Sequence, residues 1–246
     1  MVFAPFLLIY VALCLFFLLG LFVLIELEVI SYAFLVLGLP PRLALVALLV
    51  SFIGSYINIP LYTVEPGAAP SAATASNFGV VYGIPFEFGR GTTVAVNVGG
   101  ALVPTFIAAY ALLKTPAAIV PSIIGLAIVA VVTHHFAYPL RGLGIAIPLF
   151  IPPLAAALVA LLLGRAMRVS RATHVIAYVS GSLGTLIGAD LLNLHRIAYL
   201  GAPVASIGGA GTFDGVFLTG IVAILLAGSR ELVPKTAAEL RAISLD

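Results

Sequence analysis

Charge is what this sequence lacks most. Of its 246 residues only 8% are Asp, Glu, Lys or Arg, against about 25% in water-soluble domains, so it cannot clothe a soluble globule. Its eleven Lys and Arg residues are scattered and the net charge is only +2, which argues against a nucleic-acid partner. A single cysteine, Cys14, excludes an internal disulfide or a cysteine-based zinc cluster. Trp and Gln are absent and Met occurs only twice, a depletion that fits a thermophile. Neither Gly-x-Ser-x-Gly nor His-Glu-x-x-His occurs, so the nucleophile elbow of serine hydrolases and the zinc-peptidase helix are both missing.

What is present is apolar. Hydrophobic residues make up 63% of the chain and the mean hydropathy is +1.26. The expected fold is all-α: one polytopic integral membrane domain over 1–246, a helical bundle with the lipid bilayer as its surroundings. Apolar runs bounded by Pro, Gly or charge predict about seven spans, near 5–25, 41–61, 92–113, 116–138, 144–164, 172–193 and 203–228. Residues 6–25 lack the basic start of a cleavable signal and read as a retained first helix. Residues 29–39 are too short for a crossing and read as a re-entrant piece or a continuation of helix 1, closed by Pro40-Pro41. The long loop 62–91 is expected outside, with a short hairpin over Gly79–Phe88. One side of this arrangement receives Arg42, Lys114, Arg165, Arg168, Arg171, Arg230, Lys235 and Arg241; the other receives Arg90, Arg141 and Arg196. Eight against three places the short tail 229–246, and with it the C-terminus, in the cytoplasm of a multi-pass cell-membrane protein.

Ionisable residues inside spans are costly and point to function. Two stand out: Asp190 in Gly184-Thr-Leu-Ile-Gly-Ala-Asp-Leu-Leu-Asn193 and Asp214 in Gly208-Gly-Ala-Gly-Thr-Phe-Asp-Gly215. Both fall toward the outer ends of consecutive spans. Asn58, Asn97, His134 and His135 map to the same depth, and a common level of polar groups points to one cavity opening outward. The alternative is structural: Asp214 complements a helix start and Asp190 faces interfacial water. Gly181, Gly184 and Gly188 follow an i, i+3, i+7 stripe where another backbone can approach. The candidate catalytic residues are therefore Asp190 and Asp214, with Asn97, Asn193, Gly209 and Gly211 as substrate-binding candidates. No metal and no cofactor is expected: His134 and His135 diverge by about 100° on a helix and cannot easily share an ion.

Asn97-Val-Gly-Gly100, the Asp190 block and the Asp214 block together resemble a prokaryotic membrane family defined as a domain of unknown function, number sixteen-fourteen. The resemblance covers most of the chain after the first helices and implies no established activity. In arrangement, two acids on consecutive helices with one after a Gly-rich stretch are similar to presenilin-type intramembrane aspartyl proteases. Here Asp190 follows Ala189, Asp214 follows Gly-Thr-Phe, and no Pro-Ala-Leu comes after it.

Two chemistries suit such a pair. In an aspartyl peptidase, carboxyls about 3 Å apart share a proton, one activating water and the other protonating the scissile group of a peptide or membrane-protein substrate. In a transporter or channel the same acids carry protons or a cation, with Pro121, Pro139, Pro148, Pro152 and Pro153 as candidates for breaking helices. An oligomer is compatible with either.

Overall fold

The computed structural model describes residues 13, 15–20, 28–65, 74–77, 80–83, 91–140, 144–165, 170–199, 202–209 and 215–228. Residues 28–36 form α1, which closes where Gly38, at φ 90°, donates to the Leu35 carbonyl and Leu39 donates to that of Phe34. Its Ile30, Ala33 and Phe34 are buried. The 29–39 segment is thus a core-packed helix; the stretch 21–27 that would join it to the helical residues 15–20 lies outside the described residues.

Proline then starts α2 (Pro41–Gly54), where the missing N–H costs nothing. Strand β1 (Asn58–Val64) follows, then a hairpin of β2 (Thr74–Asn77) and β3 (Val80–Gly83), then β4 (Thr92–Asn97). Beyond β4 the backbone passes through a π-helical turn, Val98–Leu102, into α3 (Val103–Lys114). Next come α4 (Ile119–Phe136), a small hairpin of β5 (Tyr138–Leu140) and β6 (Gly144–Ala146), α5 (Ile151–Arg165) and α6 (Ser170–Thr185). Helix α6 runs on through a second π turn, Leu186–Asp190, and a 3-10 stretch, Leu191–Tyr199, to β7 (Val204–Ile207) and α7 (Gly215–Gly228).

The protein is mostly helical, but not all-α. Strand β4 is central in a three-stranded sheet, antiparallel to β1 and parallel to β7. Asn58 faces Asn97 and Val96 faces Ile207. Three of the expected spans, 41–61, 92–113 and 203–228, therefore contribute strands to this sheet, and 116–138 and 144–164 run into the β5–β6 hairpin. An apolar run alone does not separate strand from helix. The β-branched alternation of Thr92-Thr-Val-Ala-Val and Val204-Ala-Ser-Ile is the strand signal that run length hides. The hairpin also lies a few residues earlier than Gly79–Phe88 suggests. Nor do seven full spans emerge. Pro116–Phe136 and Ala172–Arg196 are long and apolar enough to cross a membrane, whereas the other apolar helices among the described residues have 10–17 residues.

Helix α6 is the axis, packed against α3, α4, α5 and α7. Its neighbours approach through glycine. A Cβ on Gly125 would meet Ser180, one on Gly184 would meet Val129 at 2.9 Å, and one on Gly188 would lie 2.3 Å from the Ala130 carbonyl oxygen. Those pairs rise together in sequence, so α4 runs parallel to α6. Gly181 against Ala156 and Gly164 against Thr173 make α5 antiparallel; Gly220 against Tyr178 and Gly228 against His174 do the same for α7. The ends of α4 and α6 and the starts of α5 and α7 thus gather at the end of the bundle that holds the sheet.

Side-chain size is distributed in the sense opposite to that of a water-soluble protein. On α5 the inward residues are Ala156, Ala157, Ala160 and Gly164, while Leu154, Leu158 and Leu162 face outward. On α4, Val120 and Val131 are about two-thirds exposed, at 66% and 67%. The buried axis, Ala172–Arg196, is less apolar than the outer helix Pro116–Phe136, with hydropathy 1.5 against 2.3. Small residues thus face inward, where they let the helices approach closely, and large apolar ones face outward.

The glycine contacts give a direct test. Gly188→Ala would drive a methyl group into the α4 backbone, and we expect a loss of about 1–3 kcal/mol, read as a lowered melting temperature in detergent. Gly20→Ala, which meets nothing within 4 Å, should melt as the parent does. Equal melting of the two would disprove the close α4–α6 approach.

Candidate functional site

The sheet end of the bundle is organised by Asn97, which is buried at 1% exposure. It ends β4 and begins the first π turn, accepting the Gly100 N–H on Oδ1 at 2.7 Å. Its Nδ2 donates to the Ser55 carbonyl at 2.7 Å and to Asn58 Oδ1 at 3.0 Å. One amide thereby joins the end of α2, the start of β1 and the entry to α3. Gly99 lets these segments meet: a Cβ there would lie 2.0 Å from the Ser51 carbonyl oxygen, and Ser51 Oγ donates to the Gly99 carbonyl at 2.9 Å. Asn58 Oδ1 also accepts from Ser206 Oγ, which ties in β7.

Beyond β7 the chain turns through Gly208 and Gly209, at φ 89° and 91°, values that side chains with a Cβ rarely adopt. A Cβ on Gly208 would be 2.6 Å from the Ala101 nitrogen, so this turn sits against the first π turn. The Gly208 N–H donates to Asp190 Oδ2 at 2.7 Å. Asp190 ends the second π turn, and its half-buried carboxylate is oriented by a backbone N–H. Single π turns inside α-helices recur at functional sites because they redirect one side chain and loosen one turn of hydrogen bonding.

Asn193 completes the arrangement. Fully buried, it donates from Nδ2 to the carbonyls of Gly188 (3.1 Å) and Ala189 (2.9 Å), with His134 Nδ1 at 3.2 Å. Those carbonyls are among the backbone groups left over where the π turn gives way to 3-10 geometry. The Oδ1 of Asn193 is buried without a partner, as is Thr133 Oγ1 on the facing helix.

The structure thus brings Asp190, Asn97, Asn193 and Gly209 to one end of the bundle, together with Asn58 and His134. Asp214 and Gly211 lie outside the described residues; Asp214 directly precedes Gly215, where α7 begins. His135 is exposed, edge-on to Phe136 at 5.2 Å. Among the described residues no three of His, Cys, Asp and Glu gather as a metal-binding set. Sequence reasoning missed Ser51, Ser55 and Ser206. Their one signal is a hydroxyl within an apolar run a few residues from Gly or Asn. The prolines do not break helices: Pro121, Pro152 and Pro153 lie in first turns, Pro139 in β5 and Pro148 just before α5. The helical irregularity is in the two π turns instead.

Compared with known families, residues 52–226 match the model of a protein of unknown function, DUF1614. No curated protein and no solved structure matches the chain.

Replacing Asn97 by Ala would leave the Ser55 carbonyl and the Gly100 N–H without their partner, at about 1–3 kcal/mol for each buried group left unsatisfied. A melting temperature unchanged in Asn97→Ala would contradict its role as the joint. Gly208→Ala should also destabilise, through its φ and its contact with Ala101.

Proposed function

The chain belongs to the DUF1614 family, whose function is unknown, and we propose that it is an integral membrane protein bearing an aspartyl peptidase site, Asp190 with Asp214, at its sheet end. The membrane reading is supported by the outward Leu, Ile and Val of α4 and α5, and by the basic residues. Arg42 begins α2, Lys114 ends α3 and Arg165 ends α5, all opposite the sheet. By the positive-inside rule the sheet end faces outward and the C-terminus lies in the cytoplasm. The helices are short: α2 has 14 residues, about 21 Å at 1.5 Å per residue, so it reaches across much but not all of a hydrocarbon core of about 30 Å.

One observation carries the catalytic reading. The 2.7 Å bond from the Gly208 N–H to Asp190 ties the first acid to the segment that bears the second acid six residues later. Covalent geometry limits six residues to about 20 Å, and Gly215, next to Asp214, starts α7 at the same end of the bundle. With the two carboxyls together, one polarises a water for attack on a peptide carbonyl and the other supplies the proton to the leaving nitrogen; the pair titrates as a unit. Asn97 and Asn193, whose Nδ2 groups are engaged by the protein itself, act in this scheme as positioning residues that hold the π turns. Gly209 and Gly211 provide backbone against which an extended substrate can lie.

The second reading, proton- or cation-coupled transport, draws on Asp190 ending a π turn beside the buried and unpartnered Asn193 Oδ1 and Thr133 Oγ1.

Detergent-purified protein incubated with an unfolded reporter protein over pH 4–8 should cleave it. Asp190→Asn and Asp214→Asn should each lower the rate by about 10²–10⁴-fold while melting as the parent does. Cleavage surviving both substitutions would remove the two acids from the mechanism. No cleavage by any of the three, with proton or cation flux in liposomes lost in both variants, would establish the transport reading instead. In intact cells a C-terminal tag should resist added protease until the membrane is permeabilised.

A further inference from the structure

Helix α2 meets the π turn that leads into α3 at the sheet end, where Gly54 faces Gly99, and further from the sheet α2 and α3 line a groove together. This open groove of about 520 Å³ runs from Val50 and Val103 down to Leu43 and Leu113 and is lined almost wholly by apolar side chains. Its length is informative. From Val103 to Leu113 the α3 backbone rises about 15 Å, half of a hydrocarbon core of about 30 Å. A partner transmembrane helix would need twice that length; the acyl chain of a lipid in one leaflet needs just this.

The groove ends among basic groups. Arg42 precedes Leu43, and Lys114 follows Leu113; both are exposed, and the Lys114 ammonium stands 5.6 Å from the ring centre of Tyr110, a lining residue. Aromatic and basic side chains at such a level mark the depth of lipid headgroups. We propose that the α2–α3 groove is a binding site for an anionic phospholipid of the cytoplasmic leaflet, its acyl chain in the groove and its phosphate between Arg42 and Lys114. This rests on the membrane reading and its orientation, and is independent of the peptidase reading.

Native mass spectrometry of the full chain in detergent, given equal amounts of phosphatidylglycerol and phosphatidylcholine, tests it. Each basic residue contributes about fivefold in affinity for an anionic surface, so one phosphatidylglycerol should be retained with about 30-fold preference. Arg42→Gln with Lys114→Gln should bring that preference close to unity without altering the melting temperature. Ala109→Phe, which adds bulk from an exposed lining position, should expel the lipid while leaving the two basic residues in place. Equal retention of both lipids by the parent, or undiminished preference in the double variant, would overturn the site and leave the membrane reading intact. A dimer broken by Ala109→Phe would assign the groove to a second copy. A chain that stays soluble without detergent and retains neither lipid would remove the membrane reading as well.

Discussion

A single buried amide, Asn97, connects the parts of this molecule that packing alone would leave separate. Its three hydrogen bonds, each 2.7–3.0 Å, go to the last residue of a helical turn, the first residue of a strand and the start of the next helix. Where water is excluded, every N–H and C=O must find a partner within the protein. The passage from helix to strand and back to helix is where partners run short. Asn97 supplies them for the entry to α3, and Asn193 does the same where the π turn of α6 passes into 3-10 geometry. Asn97 donates and accepts at once, whereas Asn193 serves through its Nδ2 group alone; Leu could do neither.

The same constraint explains the glycines. A polar joint of this kind works only if backbones come close enough to bond, and Gly99, Gly188 and Gly208 each stand where a Cβ would fall within 2.6 Å of a neighbouring main-chain atom. The two π turns follow. Each is one residue wider than an α turn, and each coincides with a Gly-bearing motif pressed against another chain segment. Asp190 sits at the last residue of the second, aimed at the glycine turn that is pressed against the first. The acid is therefore connected to Asn97 by a continuous path: Gly208 to Ala101, and Ser206 to Asn58.

Several of these features were legible before any fold was known. The depth shared by Asn58, Asn97, His134 and Asp190 corresponds to one end of the bundle, and the stripe Gly181, Gly184, Gly188 corresponds to close helix contacts. The family, too, could be read from the Asn97 and Asp190 blocks. The strands could not. Thr92–Asn97 and Val204–Ile207 lie inside apolar runs long enough to pass for spans, and a run of six residues carries no length signal. Their pairing is parallel, between segments more than a hundred residues apart, with the helices α3 to α6 forming the crossover between them.

By itself the sequence determined the apolar balance of the chain, the few places where polar groups interrupt it, and the small residues that allow helices to touch. Those are properties of composition and local spacing, fixed by transfer free energy and side-chain volume. Only the tertiary structure decided what the polar groups do. That Asn97 serves the backbone, that Asp190 is held by Gly208 and that Asn193 caps the carbonyls of a π turn depend on which segments lie side by side. Proximity between distant segments is set by the packing of the whole bundle, and no local pattern encodes it.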